Sequence, residues 1–302
     1  MKRMQFIYFF VLSCCCVAYG SNLINVACNK LNSESLFLDE SKSIVNQKNI
    51  TKDKILYIIE KYQKVMNGKE YLFYPSKKTK KLVIIFNGAN KGKYSQFTWW
   101  WDDKEEWANG ISFLFLKDDD FTWYLGNNEH DFIQDYRAII EFHINLCNIS
   151  CDAVFTMGSS MGGYASIFYA TLLKLKGACV INPQVNKASN INTRFGLHNA
   201  EDRWVDLDAL LLSAKKIPYI SLIYGQYKPD LLAAECLIDV LKQRASLFIV
   251  RTSSLSDHYI TSYVYTKEFL LKELHYMDVA DSFMDDKDNK KYIDVLEDER
   301  VD

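Results

Sequence analysis

The sequence predicts an α/β fold, with a mostly parallel central sheet and helices on both faces. Short runs rich in Ile, Val, Leu and Phe alternate along the chain with longer segments whose apolar residues recur at helical spacing. Such continuous apolar runs are typical of parallel strands, which are buried on both faces. The composition agrees, because 49% of the 302 residues are hydrophobic and 25% are charged, which favours a large folded core over disorder.

The pattern places the elements in the following order. Ile55, Ile58, Ile59, Tyr62 and Val65 recur at helical spacing and predict a first helix. Two apolar runs at 71–74 and 82–86, joined by a lysine-rich turn, predict a hairpin that leads into a buried strand. Further strands are predicted at 111–116, 153–157, 178–181, 219–224 and 247–250, and further helices at 131–147, 161–175, 229–243 and 261–277.

The first twenty residues have the character of a targeting segment. Lys2 and Arg3 precede an uncharged run at 6–18, which ends in small residues at the spacing used by signal peptidases. Residues 1–20 therefore predict a signal-like segment, with export or with membrane association through residues 4–19. A buried N-terminal strand or helix is the alternative.

The rest of the chain is predicted to have three parts. Residues 21–69 form a polar and helical extension, residues 70–280 form the α/β domain, and residues 281–302 form an acidic, solvated tail. The segment 184–216 is the longest one between two predicted strands, and it predicts a small cap insertion over the site.

Charge and motif content exclude several classes of function. The net charge is −2 and the sequence pI is about 6.2, so no basic field predicts binding to nucleic acid. Neither phosphate-binding glycine pattern, GxxxxGK[ST] or GxGxxG, occurs in the sequence. The run Asp118-Asp119-Asp120 lacks a second ligand cluster and is interpreted as a polar loop. We therefore predict neither a metal nor a cofactor.

The most informative motif is Gly158-Ser-Ser-Met-Gly-Gly163, which fits the pattern G-x-S-x-G with Ser160 at its centre. A predicted strand precedes it and a predicted helix follows it, as the sharp nucleophile turn of α/β hydrolases requires. The two outer glycines avoid collisions across that turn. The motif predicts an α/β-hydrolase fold with Ser160 as nucleophile; an ordinary glycine-rich turn is the alternative.

A serine nucleophile of this fold requires a histidine later in the chain, and three follow Ser160. His258 lies in a polar loop directly after the strand predicted at 247–250, at the edge of the sheet where a base is needed. His275 is predicted to lie on a helix surface, and His198 lies in the predicted cap. We therefore predict His258 as the base, with a solvated loop histidine as the alternative.

The orienting acid is predicted to be Asp230. It follows a strand and precedes a helix, 28 residues before the histidine, which leaves room for one helix and one strand. A carboxylate there can orient the imidazole and stabilise the imidazolium. A helix cap is the alternative role for Asp230, and Asp257 is a weaker candidate for the acid.

An oxyanion site needs two convergent donors. The backbone N–H of Met161 at the start of a helix is one predicted donor. The loop after the strand at 82–86 supplies the others, through the backbone of Gly88 or Ala89 or the side chain of Asn87. An ordinary Asn-Gly turn is the alternative interpretation of this loop.

Aromatic residues are concentrated in two places, Trp99-Trp100-Trp101 and Trp123-Tyr124. Aromatic faces can stack on sugar rings or acyl chains, and large aromatic side chains are also common in protein cores. The core interpretation is the favoured one.

Four segments also carry a resemblance. They are Asn87-Gly-Ala-Asn90, Trp123-Tyr-Leu-Gly126, the serine motif continued to Tyr164, and Ile181-Asn-Pro-Gln184. In this order they resemble the α/β-hydrolase-like capsular polysaccharide biosynthesis proteins of the XcbB/CpsF type, which are related to accessory secretion system proteins of sugar acetylation. The resemblance spans about residues 70–275.

This resemblance implies a role in bacterial capsule or surface-polysaccharide biosynthesis. It also implies a Ser-His-Asp triad at Ser160, His258 and Asp230, partners among the capsule biosynthesis proteins, and a cytoplasmic location. The signal-like N-terminus predicts export or membrane association instead, so both locations stay open.

Three functional hypotheses follow. In the first, Ser160 attacks an acylated or glycan-linked substrate, and the protein is a carboxylesterase or a sugar O-acyltransferase. In the second, the protein is a non-catalytic assembly or glycan-binding component of the capsule machinery. In the third, it is a lipase or peptidase.

Overall fold

The structure is a computed structural model that describes residues 52–89, 94, 110–190, 201–244, 248–252, 256, 258, 267–280 and 296–297. The signal-like segment 1–20, most of the polar extension, Trp99-Trp100-Trp101 and His198 lie outside the described residues. None of the helices in the described part combines the length and the apolar character that a bilayer crossing requires.

A nine-stranded sheet forms the centre of the described part of the chain. Its strands are β1 (Gln63–Met66), β2 (Lys69–Tyr74), β3 (Lys81–Phe86), β4 (Ile111–Leu116), β5 (Val154–Ser159), β6 (Gly177–Ile181), β7 (Tyr219–Tyr224), β8 (Phe248–Thr252) and β9 (Leu296–Glu297). Their order is β1-β2-β4-β3-β5-β6-β7-β8-β9. Strands β3 to β9 are parallel, and β1 and β2 are antiparallel to their neighbours.

The parallel strands are apolar along their whole length because helices cover both faces of the sheet. The helices are α1 (Lys52–Tyr62), α2 (Phe132–Cys147), α3 (Met161–Leu172), α4 (Lys187–Asn190), α5 (Leu207–Ser213), α6 (Lys228–Gln243) and α7 (Lys267–Asp278). One core lies between the sheet and α2, α3, α5 and α6. The other lies against α1 and α7 and includes Ile58, Leu274 and Met277. The carboxyl ends of all the parallel strands therefore meet at one edge of the sheet.

Two predictions for the amino-terminal part were wrong. Helix α1 ends at Tyr62, so Val65 lies in β1 and is 64% exposed. The hairpin joins β1 to β2, whereas β2 and β3 are separated by β4. The cause is the turn at Asn67 and Gly68, whose φ angles of 52° and 73° suit a two-residue hairpin.

The cap prediction at 184–216 falls partly on described residues, which contain α4, α5 and a 3₁₀ turn at Glu201–Arg203. This segment is anchored on α3: Trp204 stacks on Tyr164 with ring centroids 4.3 Å apart, and the Tyr164 hydroxyl donates to the Val205 carbonyl at 2.8 Å. Arg203 also pairs with Asp131 at 2.9 Å. A covering role over Ser160 stays a prediction.

Part of the predicted solvated tail belongs to the sheet. Leu296 and Glu297 form the edge strand β9, paired with Arg251 and Thr252 of β8. This strand was not predicted, because β9 has only two residues and its neighbours in the sequence are largely polar.

Candidate active site

Ser160 lies at the sharp turn between β5 and α3. Its backbone has φ 53° and ψ −120°, a conformation that a residue with a Cβ adopts only under strain. The Ser160 N–H donates to the carbonyl of Ile181 at 2.9 Å, and the Ser160 carbonyl accepts from Tyr164 N–H at 3.0 Å. The turn is therefore held by backbone bonds on both sides, and the strained serine is kept at the carboxyl edge of the sheet.

Three glycines make this turn sterically possible. A Cβ on Gly158 would collide with the backbone of Gly162, and a Cβ on Gly162 would collide with the carbonyl group of Phe86. A Cβ on Gly163 would lie 3.1 Å from Pro183 Cα. Helix α3 thus starts in close contact with the ends of β3 and β6, as the motif predicts.

The three side chains selected from the sequence form one hydrogen-bonded chain. His258 Nε2 lies 2.8 Å from Ser160 Oγ. On the other side of the ring, His258 Nδ1 lies 2.9 Å and 2.8 Å from the two carboxylate oxygens of Asp230. With Nδ1 protonated and bonded to the carboxylate, Nε2 is free to accept the serine proton. This is the arrangement that nucleophilic catalysis by serine requires.

Asp230 is fully buried and belongs to the first turn of α6, after Pro229. The N-cap of this helix is Tyr227, so Asp230 is not the helix cap. A negative charge in the first turn is stabilised by the partial positive charge of the helix terminus. Gln184 Nε2 lies 3.5 Å from Asp230 Oδ1, at the limit of a hydrogen bond.

His258 is positioned by its backbone as well as by its ring. Its side chain is 9% exposed, and its ring lies 6.0 Å from the ring of Tyr227 in an edge-on arrangement. Its carbonyl accepts a hydrogen bond of 2.9 Å from Asn182 Nδ2. The competing histidine His275 lies exposed on α7, and Asp257 lies outside the described residues.

The predicted oxyanion donors lie at the ends of two adjacent strands. Phe86, the last residue of β3, pairs in register with Gly158 of β5, so Asn87, Gly88 and Ala89 follow at the same edge as the serine turn. Asn87 is buried, and its backbone N–H is already bonded to the Leu116 carbonyl at 3.0 Å. The Asn87 backbone N–H is therefore already used, and the oxyanion role of Asn87, Gly88 and Ala89 stays a prediction.

Met161 is the first residue of α3 and is buried. The first N–H groups of a helix have no carbonyl partner within the helix. The Met161 N–H therefore needs a partner outside α3, and its role as an oxyanion donor stays a prediction.

A second strained loop runs from Asp118 to Gly126, in a segment interpreted above as a polar loop followed by core aromatic residues. Asp118 is buried and accepts hydrogen bonds from Tyr124 N–H at 2.9 Å and from the Thr122 hydroxyl at 3.1 Å. Burial raises the pKa of the Asp118 carboxyl, and these hydrogen bonds oppose the rise. Asp118 thus organises a tight loop, in agreement with its interpretation as part of a polar loop.

Tyr124 joins this loop to the site. It is fully buried, and its hydroxyl lies 2.8 Å from the carbonyl of Asn87 and 3.1 Å from that of Leu116. The neighbouring Trp123 is also buried and packs edge-on against Tyr164 and Trp204. Both aromatic residues thus belong to the core, as the favoured interpretation predicts, and Tyr124 also supports the predicted oxyanion loop at 87–89.

Within the described ranges, no three His, Cys, Asp or Glu side chains are grouped so that they could hold a metal ion. The residues that sequence reasoning missed are Tyr124, Asn182 and Gln184. Tyr124 was interpreted only as a core aromatic residue, Gln184 falls at the start of the predicted cap, and Asn182 belongs to a segment that carries only the resemblance. A polar residue directly after a parallel strand, such as Asn182 after β6, is the signal that pointed to this edge of the sheet.

Comparison with known proteins places the fold. No protein-family model matches the sequence, and no curated protein matches it. Among solved structures, one similar chain is the capsule O-acetyltransferase of Neisseria meningitidis serogroup A. It has 17% sequence identity and a TM-score of 0.54, and the match covers 70% of this chain and 94% of that one.

Two hydrolases of known structure resemble this chain to a similar degree. FphF, a fluorophosphonate-binding serine hydrolase of Staphylococcus aureus, has 15% identity and a TM-score of 0.52, with 70% of this chain and 92% of that chain covered. An S-formylglutathione hydrolase from Agrobacterium tumefaciens has 13% identity and a TM-score of 0.51, with 72% and 93% covered. At this level of identity the likeness concerns the fold. The chain has the α/β-hydrolase fold, as the sequence predicted.

Proposed function

We propose that the protein is a serine-dependent acyl-transfer enzyme. The observation that carries the proposal is the continuous chain from Ser160 Oγ through the His258 ring to the Asp230 carboxylate, with contacts of 2.8 Å on both sides of the ring. A hydrogen-bonded serine, imidazole and buried carboxylate is the arrangement that activates a serine for attack on an acyl carbonyl.

The reaction has two halves. Ser160 Oγ attacks the acyl carbonyl while its proton passes to His258 Nε2, and the oxyanion is held by the N–H of Met161 with donors of Gly88, Ala89 or Asn87. The tetrahedral adduct then collapses: the bond to the leaving group breaks, and His258 gives that group the proton. In the second half an acceptor hydroxyl loses its proton to His258 and attacks the acyl-serine. The Oγ–acyl bond then breaks, and His258 returns the proton to Ser160 Oγ.

We further propose that the acceptor is a hydroxyl group of a capsule or surface polysaccharide. Two observations support this: the sequence resemblance to capsular polysaccharide proteins, and the similar fold of a capsule O-acetyltransferase. A variant of that O-acetyltransferase has been solved in complex with CoA, which makes an acyl-CoA thioester a reasonable donor to test. With water as acceptor, the same site is an esterase.

Fluorophosphonate labelling tests the proposed nucleophile. The wild-type protein is expected to react covalently, and Ser160→Ala is expected to lose the label because no other atom replaces Oγ. Ser159→Ala is the matched control: it removes the adjacent hydroxyl, leaves the triad intact and is expected to label as the wild type does. An unlabelled wild type, or labelling of Ser160→Ala, would contradict the proposal and favour a non-catalytic binding component.

Partition of the acyl-enzyme identifies the acceptor. The protein is incubated with acetyl-CoA in the presence and absence of O-deacetylated bacterial polysaccharides, and both the free CoA thiol and polysaccharide-bound acetyl are measured. Release of CoA that depends on the polysaccharide and on Ser160 supports the transferase. Equal release without polysaccharide supports an esterase, and turnover confined to long-chain esters or peptides would support a lipase or peptidase instead.

A further inference from the structure

Asn182, in the loop after β6, forms side-chain hydrogen bonds with the residue that follows β7 and with the predicted base His258. Asn182 Oδ1 accepts from Gly225 N–H at 3.2 Å, and Asn182 Nδ2 donates to the His258 carbonyl at 2.9 Å. Its backbone N–H also donates to the carbonyl of Ile223 at 2.9 Å. One buried amide therefore ties the segment carrying His258 to the end of a central strand.

We propose that Asn182 is a positioning residue that fixes the position and orientation of the His258 ring between Ser160 and Asp230. The proposal rests on the proposed function, because it deepens the account of the same triad. Ser160 and Asp230 each belong to a rigid element, whereas His258 follows β8 by six residues. The bond to its carbonyl supplies the constraint that a helix or strand supplies for the other two members.

The geometry explains why an asparagine stands at this position. Asn182 has φ 44°, in the left-handed region that Asn and Gly tolerate better than most residues. Its two partners have opposite character, one a donor and one an acceptor, so both halves of an amide are used. The same partners fix the amide orientation, because a flipped amide would set a donor against the Gly225 N–H.

A small displacement here has a large expected effect. The His258 ring must hold two contacts of 2.8 Å at once, to Ser160 and to Asp230. Loss of the hydrogen bond from Asn182 to the His258 carbonyl lets the backbone of His258 shift. A misplacement of about 1 Å can cost on the order of 100-fold in rate. Substrate contacts are not altered, so the loss is expected in kcat and in the rate of fluorophosphonate labelling, with little change in KM.

Two variants test the role. Asn182→Gly keeps the backbone tolerance and removes both side-chain bonds. Asn182→Asp keeps the acceptor for Gly225 N–H and removes the donor to the His258 carbonyl. Both are expected to react about 10- to 100-fold more slowly than the wild type. The control is Asn186→Ala, which removes a bond of 3.0 Å to Asp208 in the same segment; it is expected to label at the wild-type rate.

A double-mutant cycle separates positioning from general stability. In a His258→Ala background there is no ring to position, so Asn182→Asp is expected to leave the residual rate of short-chain ester hydrolysis unchanged. Asn182→Asp that labels at the wild-type rate, or that lowers the rate equally in both backgrounds, would overturn the proposal. If the wild type is labelled but the Asn182 variants do not behave as expected, only the role of Asn182 is refuted. If the wild type is never labelled, the proposed function is refuted as well.

Discussion

Two strained segments lie at the carboxyl ends of parallel strands, one after β5 and one after β4, and they are held in different ways. At the serine turn, Ser160 has φ 53° and is confined by glycines packed against the backbone of neighbouring strands. In the loop from Asp118 to Gly126, Phe121, Trp123 and Tyr124 have φ of 54°, 59° and 64°. That loop is held by hydrogen bonds to one buried carboxylate.

The difference shows that close backbone packing and a buried polar anchor can both maintain strain. The glycine positions of the serine turn have no room for a side chain, so a substitution at one of them acts by collision. In the Asp118 loop, the residues from Asp118 to Leu125 all carry side chains, so removal of the Asp118 carboxylate acts by leaving buried donors without acceptors. The two segments are therefore expected to respond differently to substitution.

The largest effect is expected for Gly162→Ala. Its new Cβ would collide with the carbonyl of Phe86. That carbonyl cannot move away, because Phe86 belongs to β3 and is paired with β5. A loss of more than about 4 kcal/mol in the free energy of unfolding is expected, measured by urea denaturation. Gly68→Ala is the control: it has φ 73° and open space around it, so about 1 kcal/mol is expected. Equal losses would refute the role of packing.

Asp118→Ala is expected to have the next largest effect. It removes the acceptor of the Tyr124 N–H and the Thr122 hydroxyl, both buried, and should cost about 2–3 kcal/mol of unfolding free energy. Asp119→Ala is the control, because that side chain is 34% exposed in its ion pair with Lys117; about 1 kcal/mol or less is expected. Similar losses in both variants would show that Asp118 is not the anchor.

Tyr124→Phe tests whether the Asp118 loop affects the reactivity of Ser160. It removes the hydroxyl bond to the Asn87 carbonyl and should cost about 1–1.5 kcal/mol, together with a severalfold slower fluorophosphonate labelling. Tyr136→Phe is the matched control, because its hydroxyl bonds the Lys117 carbonyl at 2.7 Å, away from the oxyanion loop. Comparable stability losses with slower labelling only in Tyr124→Phe would support the role, and identical labelling rates would contradict it.

The smallest effect has the opposite sign. Ser160→Gly removes the Cβ that makes φ 53° unfavourable, so the protein is expected to gain about 1 kcal/mol in unfolding free energy while it loses labelling. Ser159→Gly, at the regular end of β5, is expected to lose about 0.5–1 kcal/mol instead. A loss of stability in Ser160→Gly would mean that the serine turn holds little strain.

Much of the site could be predicted because its requirements are local. The glycines around Ser160 are a consequence of one tight turn, and the order of serine, acid and histidine follows from the order of strands whose carboxyl ends share an edge. Asp230 and His258 were found by chain order and position, each a few residues after a predicted strand. Their catalytic roles remain predictions that the labelling experiments test.

Other features were not predicted because local turns with positive φ angles override the apolar pattern of the sequence. The pairing of β1 with β2 was missed because the periodicity of the first helix continued to Val65, where the Asn67-Gly68 turn overrides it. The burial of Asp118 was missed because a run of three acids normally indicates solvent. Its partners, Thr122 and Tyr124, are adjacent only through a loop with positive φ angles.

The sequence alone determined the α/β architecture, the serine turn and the candidates for acid and base, because apolar periodicity and glycine placement reflect local backbone sterics. Only the tertiary structure decided that His258 meets Ser160 and Asp230 at hydrogen-bonding distance, and that Asn182 and Tyr124 support the loops around them. The physical reason is that a hydrogen bond between residues 76 positions apart, such as that from Asn182 to His258, depends on how strands are ordered in the sheet, which no local pattern encodes.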